Sequence, residues 1–229
     1  MSMRPASIFK GSIRLMARHA LPPHLAHKSA LALVLTEDDS PLAYACVQGI
    51  RHHHDKSFDR WPPHINLVYP FLANPSTQID AILARVAAAV EGVPAVEATF
   101  PAVHHFVHSK KSATIFLDPD NESTRPQLQA IQAAVQAAFP ECNHDTRPFV
   151  PHLTLGQTGG SNQAIASLTR LIDSSFRAKS SEGQAATDAE PTSWTLRWSI
   201  GRLVVLERQG ADDPFKIVGQ VALHGNAKD

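Results

Sequence analysis

The sequence has only two cysteines, Cys46 and Cys142. That is too few for a disulfide framework, and without paired ligand spacing both read as buried or half-buried thiols. Charge of one sign is not in excess either: Lys+Arg and Asp+Glu number 21 each, a formal net charge of zero. This balance excludes the basic footprint of a protein that grips long nucleic-acid backbones, and leaves room for a small or terminal anionic substrate. No apolar run approaches the roughly 18 to 20 residues of a membrane-spanning helix; the nearest is Ala30 to Leu35. Acids are missing before Glu37, although Arg4, Lys10, Arg14, Arg18 and Lys28 lie there. Organelle transit peptides and ordinary N-termini share that bias. The expected compartment is the cytoplasm, with mitochondrial or other organellar targeting as the alternative.

The 229 residues, 43% of them hydrophobic and 18% charged, have a globular composition and suit one generous domain or two small lobes. The expected organisation is an N-terminal leader over 1–29, one two-lobed domain over 30–223 and a tail over 224–229. Within the domain, Ser174 to Ser193 is polar and lacks apolar periodicity, so a flexible insertion is expected at about 174–193.

Along the domain, Ala30 to Thr36 reads as a buried strand, and Asp39-Ser40-Pro41 as a helix start. The helix that follows carries Leu42, Cys46 and Ile50 on one stripe. Thr77 to Val90 places Ile79, Ile82, Leu83, Val86 and Val90 at helical spacing, stopped by Gly92 and Pro94. Val96 to Phe100 and Ser112 to Leu117 alternate like paired strands, joined by a basic loop with His104, His105, His108, Lys110 and Lys111. Further helical stripes run through Leu128, Ile131, Val135 and Phe139, and through Ile165, Leu168 and Ile172, on either side of a strand at Val150 to Leu155. A strand over Trp194 to Leu206 and alternation from Phe215 to Leu223, separated by Gly210 to Pro214, make a final hairpin.

The most informative feature is an internal repeat: Pro63-His64-Ile65-Asn66-Leu67 and Pro151-His152-Leu153-Thr154-Leu155. Both read Pro-His-apolar-polar-Leu, each between two expected helices. In a strand His64 and Asn66 share one face while Ile65, Leu67 and Tyr69 take the other, and His152 and Thr154 likewise oppose Leu153 and Leu155. A histidine and a hydrogen-bonding side chain two residues apart stand roughly 7 Å from each other, close enough to hold one phosphate between them. Two such strands make a near-symmetric site in which one imidazole can act as base and the other as acid at neutral pH.

These paired motifs resemble the two-histidine phosphoesterase superfamily, which includes RNA 2′,3′-cyclic phosphodiesterases and 2′,5′-RNA ligases. The resemblance covers Ala30 to about Leu223. It implies an α+β fold of two similar βα lobes with mainly antiparallel sheets around a central cleft. It places the catalytic histidines on His64 and His152 and the phosphate-binding groups on Thr154 and Asn66. Asn66 departs from the family pattern, which has a hydroxyl there, but its amide still offers two donors. The implied activity is metal-independent hydrolysis of a 2′,3′-cyclic phosphate on a nucleotide or RNA end. A 2′,5′-phosphodiesterase or ligase-type activity and a non-catalytic nucleotide- or RNA-binding module are the alternatives.

Around the pair, Phe149 is a candidate for stacking on a base, and Arg147, Lys110 and Lys111 for meeting phosphate or a 2′-hydroxyl. Trp61 and Tyr69 are expected to pack. A metal reading rests on His52, His53 and His54 and on His104, His105 and His108. Consecutive histidines do not converge on one ion, and no carboxylate or cysteine set completes them. No metal and no cofactor is therefore expected, nor a membrane or long duplex as partner, and the expected state is a monomer.

Overall fold

The computed structural model describes residues 20–145, 147–181 and 194–224. In chain order the elements are β1 (Leu25–Ala26), β2 (Ser29–Val34), α1 (Pro41–His54), β3 (His64–Val68), β4 (Phe71–Leu72), α2 (Ile79–Ala89), β5 (Val96–Phe100), β6 (Ala102–Ser109), β7 (Ser112–Asp118), α3 (Thr124–Ala138), β8 (Leu153–Thr158), α4 (Asn162–Ser181), β9 (Leu196–Ile200), β10 (Arg202–Glu207) and β11 (Lys216–Ala222). Two antiparallel sheets dominate, one in the order β11-β10-β2-β3 and one in the order β6-β7-β8. The motif strands β3 and β8 are edges of their sheets and meet at the seam between them.

The lobes are not simply the two halves of the chain. Helix α1 leaves β2 but packs on β8, in the other sheet, while α3 leaves β7 and packs on β3. Helices α2 and α4 stay with the sheet of the motif strand they follow. Each sheet is thus backed by one helix from either half. A continuous buried cluster runs behind both, including Leu33 and Ile65 of the first lobe and Ile115 and Leu153 of the second. Helical periodicity tells which stripe of a helix is buried, not which sheet buries it.

Close packing of α1 on β8 depends on Gly156. A Cβ at that position would stand 2.7 Å from both the Cβ and the carbonyl oxygen of His54, so no larger residue fits without moving the helix end. Gly92 has a second role: at φ +72° it takes the left-handed conformation that follows α2, where side chains with a Cβ are strained.

Several expectations are corrected. β5 pairs with β9, not β7, and the supposed basic loop is itself strand β6, which forms the hairpin with β7. Its strand character was hidden because apolar and polar residues come in pairs along it, Ala102-Val103, His104-His105, Phe106-Val107, instead of alternating. Of the stripe expected on α1, Cys46 and Ile50 are buried, together with Ala43, Val47 and Arg51, but Leu42 is 89% exposed. The strand at Val150 to Leu155 starts later, at Leu153, after a proline that lacks an N–H for a ladder. The long strand at Trp194 to Leu206 is broken by Gly201 into β9 and β10, which belong to different sheets.

Residues 174–181 of the expected insertion are the end of α4, where Phe176 is buried and stacks on Trp194 at 4.2 Å. The rest of that insertion, 182–193, lies outside the described residues, as do most of the leader (1–19) and residues 225–229 of the tail. Within the remainder of the leader, β1 pairs with β4. Among the described residues no helix is long and apolar enough to cross a membrane.

Candidate functional site

Both motif strands depart from regular pairing at the same place. Ala32 faces Asn66 and Leu31 faces Val68, skipping Leu67; Phe116 faces Thr154 and Ile115 faces Gly156, skipping Leu155. The leucine that ends each Pro-His-apolar-polar-Leu repeat is thus the bulged residue, and a bulge re-aims the side chains that follow it. In the first lobe this overturns simple alternation. Tyr69 joins Trp61 beside Ala30, Ala32, Val34, Val204, Leu206 and Phe215, the cluster on the His64 face, instead of the face of Ile65.

The two histidines are held alike. His64 Nδ1 lies 2.8 Å from the carbonyl oxygen of Pro62, and His152 Nδ1 lies 2.8 Å from that of Val150. A carbonyl only accepts, so Nδ1 carries the hydrogen and donates it. Nε2 is then the lone-pair atom of each neutral ring, the one free to exchange a proton.

Aromatic rings fix both imidazoles. Trp61 stacks on His64 at 4.4 Å and 17°, and its ring in turn stacks against Phe215 at 3.7 Å. His152 meets the edges of Phe106 and Phe116, at 5.1 and 5.4 Å, and these two rings stack on each other at 4.3 Å.

This packing has an electrostatic consequence. Burial pushes the His64 imidazolium down from 6.5 to about 4; the Pro62 carbonyl and Asp55 oppose that, while Arg51 and His152 add to it. His152 is also lowered, by burial first and then by His108, against the Val150 carbonyl and Asp118, which favour its charge. The histidines are therefore close enough for one charge to disfavour the other. Both rings are neutral near pH 7 in the absence of an anion, and a phosphate between them would favour protonation.

The lowered His64 value links to stability. Below pH 6.5 the unfolded chain takes up a proton that the folded ring refuses, so a contribution fully present above pH 6.5 is lost as pH falls toward 4. Between pH 7 and 5 this amounts to about 2 kcal/mol. Urea unfolding of the unmutated protein and of His64→Asn at both pH values measures it: the variant should lose less stability on acidification, and equal losses would contradict the assignment.

Asn66 and Thr154 occupy the same faces as the histidines. The Asn66 Oδ1 is buried without a partner, and the two ends of an amide point apart, so Nδ2 is directed away from that buried oxygen. Thr154 is half-buried beside Phe116, opposite it in the ladder. Neither side chain is committed to a hydrogen bond among the described residues, which leaves their donors available to a ligand.

The other candidates fare differently. Arg147 is exposed and forked onto Asp145. Phe149 packs against the main core. Lys110 and Lys111 form the turn between β6 and β7, level with Thr158, about 20 Å along β8 from His152 at ordinary strand rise. The structure therefore does not bring these two lysines to the histidines. It brings in residues that sequence reasoning missed: Phe106 and Phe116 against His152, and His108, whose Nε2 lies 2.9 Å from Thr114 Oγ1. With β6 recognised as a strand, alternation alone would have placed His104, Phe106 and His108 on one face. A hollow of about 310 Å³ is lined by Trp61, Pro62, Pro63, Tyr44, Gln48 and Phe58 among others, and neither histidine is part of its lining. Among the described residues no group of three or more His, Cys, Asp or Glu side chains converges as metal ligands would.

Two antiparallel sheets meeting at edge strands, each with a carbonyl-anchored histidine and a hydrogen-bonding side chain two residues on, define the two-histidine phosphoesterase class. A model of the 2′-5′ RNA ligase superfamily matches residues 38–212, and the chain belongs to that family. Among solved structures, E. coli LigT complexed with 3′-AMP is similar at 12% identity and a TM-score of 0.52, over 86% of this chain and 98% of that one. A crystal structure described as a phosphoesterase is similar at 11% identity and a TM-score of 0.51, over the same shares. At such identities the likeness is one of fold. No curated protein matches. Family membership supports a phosphoesterase- or ligase-type enzyme.

Proposed function

We propose that the protein is a metal-independent phosphodiesterase that hydrolyses a 2′,3′-cyclic phosphate on a nucleotide or RNA end, with His64 as general base and His152 as general acid. The observation that carries this reading is the matched anchoring of two imidazoles, each bonded through Nδ1 to the carbonyl two residues earlier, at the starts of strands that meet at the seam. Water attacks phosphorus and gives its proton to His64 Nε2. The bond to one ribose oxygen breaks, and that oxygen takes a proton from His152 Nε2. Bound phosphate supplies the negative charge that protonates one ring of an otherwise neutral pair. His152, whose charge Asp118 favours, is the ring taken as protonated and so able to give a proton, whereas His64, held at about 4, stays unprotonated and able to accept one. Asn66 and Thr154 donate to the non-bridging oxygens. Phe106, half-exposed on the wall of the second lobe, offers a ring face to the nucleoside. A balanced net charge suits a mononucleotide or an RNA terminus better than long duplex.

The test is incubation with each 2′,3′-cyclic nucleotide, with and without EDTA, resolving the 2′- from the 3′-monophosphate. The expected result is a single isomer at a rate that EDTA leaves unchanged. Loss of product with EDTA would overturn the mechanism, and cleavage of 2′,5′-linked dinucleotides alone would move the substrate to that linkage.

A further inference from the structure

We propose that the Arg51–Asp55 ion pair is a positioning device for the two-histidine site, tying the approach to β3 and the C-terminal part of β8 to the end of α1 and so setting how His64 and His152 face each other. The inference rests on the two-histidine reading above. The pair is buried, with only 2% of either side chain exposed, and its Nη2 and Oδ2 are 2.7 Å apart. Arg51 donates through Nη2 to the Trp61 carbonyl at 2.7 Å, through Nε to Asp55 Oδ2 at 2.9 Å and through Nη1 to Gln48 Oε1 at 3.0 Å. Trp61 is the residue whose ring stacks on His64. Asp55 Oδ1 accepts from the Ser57 amide at 2.8 Å and from Gln157 Nε2 at 3.0 Å, and Gln157 Oε1 accepts from the Lys56 amide at 2.8 Å. Gln157 lies on β8, three residues beyond Thr154. One continuous set of bonds therefore runs from the backbone beneath His64, through the pair, to the strand that carries Thr154.

Local stability does not account for this arrangement. Asp55 caps the C-terminal end of α1, where the helix dipole disfavours a carboxylate. A buried ion pair is also no better for stability, as a rule, than apolar side chains of the same volume. What the pair supplies is geometry, since the planar guanidinium fork reaches three acceptors in fixed directions. It also supplies charge: the groups facing His64 are Arg51 and Asp55 from the end of α1 and His152 from the other lobe. Arg51 and Asp55 act on the imidazole in opposite senses.

The test follows the His64 Cε1–H resonance by NMR across pH, together with kcat, KM and the affinity for 3′-AMP. Asp55→Asn should lower the His64 midpoint and Arg51→Met should raise it, each lowering kcat at least about 10-fold, as small misplacements do. Gln157→Met keeps every charge and cuts the bond to β8. It should leave the His64 midpoint in place, lower kcat about 10-fold with KM little changed, and weaken 3′-AMP binding. Arg51→Lys, which keeps the charge and loses the fork, should behave like Gln157→Met, and these two variants carry the test if the charge variants fail to fold. Midpoints moving in the same direction, or Gln157→Met and Arg51→Lys with unmutated kcat and 3′-AMP affinity, would overturn the proposal. Midpoints and product affinity are read without turnover, so an unmutated protein that cleaves no cyclic nucleotide sinks the functional reading while the positioning role is still judged.

Discussion

His64→Ala and His152→Ala should each lower turnover of a 2′,3′-cyclic nucleotide by at least about 10²-fold while leaving the fold intact, since positioned acid–base groups contribute roughly 10²- to 10⁴-fold. The structure gives reason to expect both losses. Each ring is anchored at Nδ1, so each presents the same atom, and one transfer fails when either is removed. The fold should survive because His64 opens edge strand β3, His152 immediately precedes edge strand β8, and both are only part-buried, not among the side chains of the core. The two act as a unit, so the double variant should lose little more than the worse single one. Near-normal rates in either single variant, with circular dichroism unchanged, would sink the acid–base assignment.

The second large effect is expected at Thr154 and Asn66. Removing a preorganised donor from a developing oxyanion costs about 10²- to 10³-fold in kcat, and Thr154→Val removes one while nearly preserving shape. Its hydroxyl has no other partner to satisfy among the described residues, so the loss should appear in kcat more than in stability. Asn66→Thr is the informative counterpart. It restores the hydroxyl that the resemblance leads one to expect and removes an amide oxygen that is buried without a partner. Activity should be kept or raised, and the protein should be no less stable; steady-state kinetics and thermal unfolding measure both. A collapse of activity in Asn66→Thr would show that the amide itself is required, and an unchanged kcat in Thr154→Val would remove the hydroxyl from the mechanism.

How legible the molecule was depends on what kind of interaction makes each part. The repeat at His64 and His152 was readable because strand alternation is local, and the helices at Ile82 and Leu128 because their apolar stripes face a core. Strand β6 was not, because its apolar and polar residues run in pairs and so lack the period-two alternation that marks a strand. The turn of Tyr69 toward His64 was hidden for a different reason: a bulge is a property of two strands in register, and one strand's sequence does not state it. The exchange of α1 and α3 between sheets, and the long-range bonds joining Arg51 to Trp61 and Asp55 to Gln157, are tertiary facts with no local signature. Phe149, an aromatic beside a motif, lies half-buried against the core.

The central claim is that two imidazoles converge on one phosphate. It is tested most directly by adding 2′- and 3′-AMP to the protein, labelled at histidine, and following the Cε1–H resonances of His64 and His152. Both should move together at a single binding affinity, with both titration midpoints rising in the complex as the phosphate stabilises imidazolium. Binding that moves only one of them, or that leaves both midpoints where they stand in the free protein, would contradict the account.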